Sequence, residues 1–348
     1  MKIKYIGSAL ICALILGSFI ANPAALTLGA VKGLGICGKI IIPSLFPFTA
    51  IVLFLFNCGI FSFIQTTLNG VTTKFIGMSA KAFFAVIMSF IGGFPVGAKL
   101  INELVKDGEI SEKTANRMMC YSVNPGPAFV IIGIGSNLFS NTLIGTIIYF
   151  SILISSVIIM LLLSRFERKS KESIRHESLT VSLSETFVKS VASASESVIG
   201  ICGYVVLFSA LLSVAQSYIN NPSILPLLSV FEISNGVMLL GKNIYALSFL
   251  TAFSGLCIHF QILSICKAFR LNYKMFFLFR LLNGAISSAV AFALIKLFKI
   301  SLPALSLNNG IIYSFSSVSI PLCAALIFMS VTLLISLKQN NVEKRTNM

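Results

Sequence analysis

GFPVGAKL, residues 93–100, closes the apolar stretch KAFFAVIMSFIGGFPVGAKL that begins at Lys81. Gly92, Gly93 and Gly97 carry no side chain, and Pro95 removes a backbone donor and clashes with the turn before it. A helix written through this stretch therefore breaks near residue 93. In lipid a break leaves bare amides and carbonyls, which are tolerated only where protein encloses them or where they line a wet cavity. A helix that restarts at Pro95 aims its free N–H groups and partial positive end at the gap, a ready place for an anion. Lys99, one turn further on, adds a full positive charge, unless it snorkels to the cytoplasmic surface just ahead of Asn102 and Glu103.

The rest of the chain has membrane composition. Of 348 residues, 56% are hydrophobic and 11% charged, and the mean hydropathy is +0.95. Apolar runs long enough to cross a hydrocarbon layer, roughly 20 helical residues, recur at 5–21, 34–60, 82–101, 123–139, 141–164, 198–219, 244–266, 276–298 and 311–337. The stretches 61–80 and 224–241 are too polar or too broken to count as spans. The expectation is an all-α polytopic membrane protein with about nine transmembrane spans.

The net charge of +15 is gathered in short connections: Lys106, Lys113 and Arg117; Arg165, Arg168, Lys169, Lys171 and Arg175; Lys267, Arg270 and Lys274; Lys338, Lys344 and Arg345. Basic clusters beside spans mark cytoplasmic loops, so no nucleic-acid partner is expected and the lipid bilayer is the partner. The first segment lacks a clean small-x-small cleavage site after Ala21 and reads as a retained span. The eight cysteines form no CxxC pair and lie mostly in apolar runs, where they act as small packing residues. With His176 and His259 as the only histidines, neither a metal nor a cofactor is expected.

Set against itself, the sequence repeats. Gly35-Ile-Cys-Gly38 returns as Gly200-Ile-Cys-Gly203; at the same offset Ser44 falls on Ser209 and Ala50 on Ala215. With small gaps, FIGGF (90–94) lies over AFSGL (252–256), placing Gly93 on Gly255; Asn124 then meets Asn283, and Leu138-Phe139 meets Leu297-Phe298. The order of these matches divides the chain into an N-terminal transmembrane segment (1–33), a first repeat with a connecting span (34–164), a basic cytoplasmic linker (165–197), a second repeat (198–298), and a C-terminal transmembrane helix with a basic tail (299–348). Transporters built from two repeats bind substrate near the bilayer midplane, where interrupted helices from each half meet.

The residues expected to line such a site follow from the breaks. Gly93, Pro95, Gly97 and Lys99 come from the first. Gly255, His259 and Gln261 come from the second, in FSGLCIHFQIL, where the histidine and glutamine either donate to a polar solute or bond a neighbouring carbonyl. Asn124 lies in CYSVNPGPAF (120–129), which opens a span with a polar, proline-rich turn or merely caps it. Pro43 and Pro47 in IIPSLFPF are expected to kink the first helix of the first repeat. Glu232, in VFEISNG (230–236), is the acid inside an otherwise apolar stretch. It is expected to be protonated, paired with a base such as Lys99 or His259, or used for ion coupling, unless it faces water at the interface.

PSLFPF, GFPVGAKL, KDGEISEKTANRMMCYSVNPGPAFVIIGIG, EISNG and FSGLCIHFQ together resemble the sporulation integral membrane protein family with paired Gate (nucleoside-recognition) repeats. The resemblance runs from about residue 30 to 300 and departs from the family at Ser254-Gly255, where a glycine pair is usual, and at NPGP. It implies two Gate-type repeats with broken or re-entrant helices in the mother-cell-derived outer forespore membrane of a sporulating bacterium. It also implies passage of dipicolinate, a small planar dianion, through that membrane, and leaves a homodimer or other sporulation membrane proteins as partners. A nucleoside or other small-solute permease, or a non-transporting membrane scaffold, fits the same sequence. The chain has no P-loop pattern for an ATP-driven pump. Ser254 and His259 have no orienting acid beside them, so it is not expected to be an enzyme.

Overall fold

A chain this apolar must satisfy its backbone within each segment that crosses lipid. The computed structural model describes residues 2–59, 70, 72–73, 76–164, 182–219 and 225–299, and every regular element among them is helical. The first are α1 (Lys2–Ala21) and α2 (Pro23–Ile36), which starts on a proline whose missing N–H costs nothing at a helix start. Helix α2 continues through a π-helical turn, π1 (Cys37–Ile41), into α3 (Ile42–Asn57). The carbonyl that Pro43 would strike belongs to residue 39, inside π1, so the widened turn absorbs the proline and no break follows.

Helices α4 (Ala80–Gly92) and α5 (Phe94–Lys106) do break, at Gly93, and fold back on one another: a Cβ built at Gly97 would stand 2.8 Å from that of Ser89. After α6 (Glu112–Met119) the chain is uncoiled over 123–126, then forms π2 (Ala128–Ser136) and α7 (Thr142–Ser164). Next come α8 (Leu183–Tyr218), α9 (Ile233–Leu240), α10 (Ile244–Phe253), α11 (Gly255–Ile265) and α12 (Tyr273–Leu297).

Five helical stretches are long and apolar enough to cross a bilayer: Pro23–Asn57, Thr142–Ser164, Leu183–Tyr218, Ile244–Ile265 and Tyr273–Leu297. Shorter apolar helices lie at Ala9–Ala21, Ala80–Gly92 and Ala128–Phe139. The chain is a multi-pass, all-helical membrane protein. The span expected over 311–337, the basic tail, the cluster from Arg165 to Arg175, His176, Cys323 and most of the 61–80 stretch lie outside the described residues. Residues 183–197, which the sequence reading places in the linker, are the first turns of α8.

Two bundles form. Helices α2 and α3 pack on α8, and α7, α10 and α12 pack on one another, while α5 and α11, the segments that follow the breaks, touch between them. The α2–α8 contact is a backbone approach, since a Cβ at Gly29 would lie 2.5 Å from the Ser209 carbonyl oxygen and one at Gly33 would lie 2.8 Å from Val206 Cα. Small residues allow this kind of packing in lipid, where there is no hydrophobic drive to bring helices together. Gly135 and Gly145 bring π2 onto α7 in the same way.

Gly97 tests the hairpin. A methyl there collides with the Ser122 carbonyl oxygen, a backbone atom, whereas one at Gly200 on α8 meets nothing within 4 Å. Gly97→Ala is expected to lower the thermal unfolding midpoint in detergent, with a penalty of about 1–3 kcal/mol. Gly200→Ala is expected to hold or raise it, by up to about 1 kcal/mol. Equal midpoints for the two variants would show that α4 and α5 are not packed this way.

Candidate functional site

Each interrupted helix is covered by unwound backbone from elsewhere in the chain. At the first, Gly93 has φ +86°, and a Cβ there would lie 3.1 Å from Gly126 N and 3.2 Å from Leu45 Cδ2. The covering strand is Asn124-Pro125-Gly126-Pro127. Both prolines lack an N–H, so this strand brings few donors that need partners in the interior. At the second, Ser254 (φ +82°) and Gly255 (φ +63°) are both left-handed. Residues 230–232 lie across them, with Cys257 N donating to the Phe231 carbonyl at 2.8 Å. Gly255 and Gly93, the glycines that align when the sequence is set on itself, thus occupy corresponding places beside a helix restart.

A buried cation ties the two breaks together. The Nη2 of Arg280, on α12, donates to the carbonyl oxygen of Ala252 and, at 2.7 Å, to Ser254 Oγ; its Nη1 reaches Asn124 Oδ1 at 3.5 Å. Asn124 Oδ1 also accepts from Ser156 Oγ at 3.0 Å, and Asn124 Nδ2 donates to the Tyr121 carbonyl at 2.7 Å. Asn283, one turn along α12, donates to Ser156 Oγ at 3.2 Å and accepts from Ser155; Ser151 and Ser287 bond at 3.0 Å below them. Arg280, Asn124, Ser254, Asn283, Ser151, Ser155, Ser156 and Ser287 all have 0% exposure. No carboxylate among the described residues lies within ion-pair distance of the guanidinium, and its Nε has no hydrogen-bond partner. The last turn of α10 offers the partial negative charge of a helix C-terminus, which offsets only part of a full positive charge. An unpaired buried ion costs several kcal/mol, so this arrangement is expensive to keep.

The other expected site residues are placed as follows. His259 is fully buried and directs Nε2 to the Phe253 carbonyl at 3.1 Å and Nδ1 to the Tyr273 hydroxyl at 3.4 Å, with its ring 4.9 Å from those of Phe253 and Phe276. Gln261 donates to Cys257 Sγ at 3.3 Å. Pro95 and Gly97 are buried in the first turns of α5. Lys99 turns away from the gap: its Nζ donates to the Ser193 carbonyl at 2.6 Å and to Ser197 Oγ at 2.8 Å, tying α5 to α8. Glu232 caps α9, accepting from Ser234 N at 2.9 Å, Asn235 N at 2.7 Å and Asn235 Nδ2 at 2.8 Å. Asn235 Nδ2 also donates to Ser209 Oγ of α8 at 2.7 Å. Glu232 is fully buried, and neither Lys99 nor His259 is among its partners. The structure therefore gathers Gly93, Asn124, Gly255 and His259 around one centre, turns Lys99 to α8, and sets the Glu232 carboxylate on the first amides of α9. Among the described residues, no group of three or more His, Cys, Asp or Glu side chains is placed to hold a metal ion.

Arg280, Ser155 and Ser156 escaped the sequence reading. Their signal was present: a lone arginine in the span 276–298, followed by Asn283 and Ser287 on the same helical face, and a serine-bearing face in SILISS (151–156).

No family profile matches the chain, and no solved structure matches it. The chain is 25% identical over 345 residues to the sporulation integral membrane protein YlbJ of Bacillus subtilis (strain 168), with 85% of each chain covered.

The cap at Glu232 yields an ordered series. Glu232→Gln keeps one acceptor for the α9 amides, whereas Glu232→Ala leaves buried donors unmet at about 1–3 kcal/mol each. Thermal unfolding in detergent is expected to rank wild type above Glu232→Gln and Glu232→Ala lowest. An alanine variant as stable as wild type would mean that the carboxylate does not cap α9.

Proposed function

We propose that the protein is a membrane transporter of a small organic anion. The reading rests on one observation: both helix interruptions are enclosed by protein and joined through a buried cation, Arg280, which contacts Asn124 at one and Ser254 at the other. A plain bundle gains nothing from unwinding two helices in its interior, while a carrier uses such interruptions to present backbone and side-chain donors to a solute. The sign of the centre favours an anion. A guanidinium lies there with no described carboxylate beside it, and α5 and α11 both start at the breaks.

The finer assignment is movement of dipicolinate across the outer forespore membrane during sporulation. It is supported by the resemblance of GFPVGAKL, EISNG and FSGLCIHFQ to the sporulation family with paired Gate repeats, and by the name of the B. subtilis relative, a sporulation integral membrane protein. A planar dianion is chemically suited to a site built from a guanidinium, serine hydroxyls and asparagine amides.

Proteoliposomes carrying the full chain, loaded with labelled dipicolinate outside and run in parallel with a labelled nucleoside, test the reading. Saturable dipicolinate uptake above empty vesicles, uncompeted by the nucleoside, is the expected result. Nucleoside uptake alone would make the chain a nucleoside permease, and movement of neither solute would overturn the transport reading.

A further inference from the structure

Arg280 stands seven residues into α12, about 10 Å along its axis from Tyr273, and belongs to a buried face that includes Phe276, Asn283 and Ser287. A guanidinium carries five N–H donors and cannot shed its charge in a protein. Nη2 is committed to the end of α10, Nη1 makes one long contact to Asn124, and Nε–H has no partner. The groups packed around this edge are neutral: the amides of Asn124 and Asn283 and the hydroxyl of Ser156. Among the described residues the centre therefore holds one positive charge, spare donors on the same cation, and no negative charge. Buried charges in proteins are paired, and this one has no charged partner among the described residues.

We propose that Arg280 is the receptor for a carboxylate group of the transported solute, which supplies the missing counter-charge and takes the unpartnered Nε–H. This rests on the transport reading and adds the residue and the chemical group that it recognises. Nε–H shares its edge of the guanidinium with Nη2, so a carboxylate seated there lies on the side of Ser254 at the second break, while Nη1 on the other edge keeps its contact to Asn124 at the first. Bound solute then neutralises the cation that joins the two breaks. Because the centre is fully buried in this conformation, solute reaches it only when the segments beside the breaks part.

Full-length protein in nanodiscs separates the possibilities. The probes are pyridine-2,6-dicarboxylate and its neutral isostere, pyridine-2,6-dicarboxamide, and the readouts are the ligand-induced shift in unfolding midpoint and uptake into proteoliposomes. Wild type is expected to be stabilised by the dicarboxylate and unaffected by the dicarboxamide. Arg280→Gln is expected to weaken dicarboxylate binding at least tenfold. Asn124→Asp retains the guanidinium and sets an internal carboxylate against Nη1, at the loss of the bond Asn124 gives Tyr121. It is expected to abolish the dicarboxylate shift and uptake while still yielding a folded, monodisperse protein, so the test stands even where Arg280→Gln fails to fold. Wild-type stabilisation by the dicarboxamide, or dicarboxylate binding undiminished in either variant, overturns the assignment. Uptake that survives both variants removes Arg280 and leaves the transport reading intact. Binding lost in both variants with no uptake by wild type keeps the receptor and removes transport. Neither binding nor uptake by wild type counts against both.

Discussion

Backbone amides in a hydrocarbon layer must find partners inside the protein, and the architecture follows from where this chain declines to find them within a helix. At Gly93 and at Ser254-Gly255 the i to i−4 ladder stops in the interior. Each stop obliges another segment to lie beside it: the proline-rich strand from Asn124 at the first, residues 230–232 at the second. Those strands must in turn be anchored, and the anchors are the polar side chains of the interior, Arg280, Ser156 and Asn283 on one side and the Glu232 cap of α9 on the other. The polar centre is thus what an enclosed break requires once it is made, and also what gives a solute something to bind.

Much of this was legible as sequence because the residues that break helices have local causes. Glycines flanked by a proline read as an interruption wherever they occur, and Gly93 and Gly255 both adopt the left-handed backbone that glycine tolerates best. Asn124 and Glu232 stood out as polar residues in apolar surroundings, and both are buried. What sequence could not supply was direction. Lys99 follows the first break by one turn, yet its ammonium turns toward Ser193 and Ser197, residues 94 and 98 positions away. Arg280 was passed over: it follows the basic cluster of Lys267, Arg270 and Lys274 but lies within the span 276–298, and the packing of α12 buries it.

Continuity was a second point that local rules did not settle. Pro43 and Pro47 predict a kink, and the structure keeps one continuous helical stretch from Pro23 to Asn57 with a wide turn at Cys37–Ile41 just before Pro43. The polar, serine-rich stretch before residue 198 reads as a cytoplasmic linker with some amphipathic helix, and from Leu183 onward it is one helix with the span that follows. Ser195 donates to the Val191 carbonyl and Ser197 to that of Ser193, so the helix itself supplies partners for these two hydroxyls.

Helix α8 has 36 residues, about 54 Å of rod against a hydrocarbon layer of about 30 Å, so a good part of it stands clear of the lipid. It is gripped at two heights: by Lys99 at Ser193 and Ser197, and by Asn235 at Ser209, about 24 Å further along. A hydrogen-bonded helix resists stretching and compression far better than it resists turning or tilting. The first hairpin and the α9 cap are therefore fastened to the same axle, and the length of α8 between the two grips sets how far apart they stand.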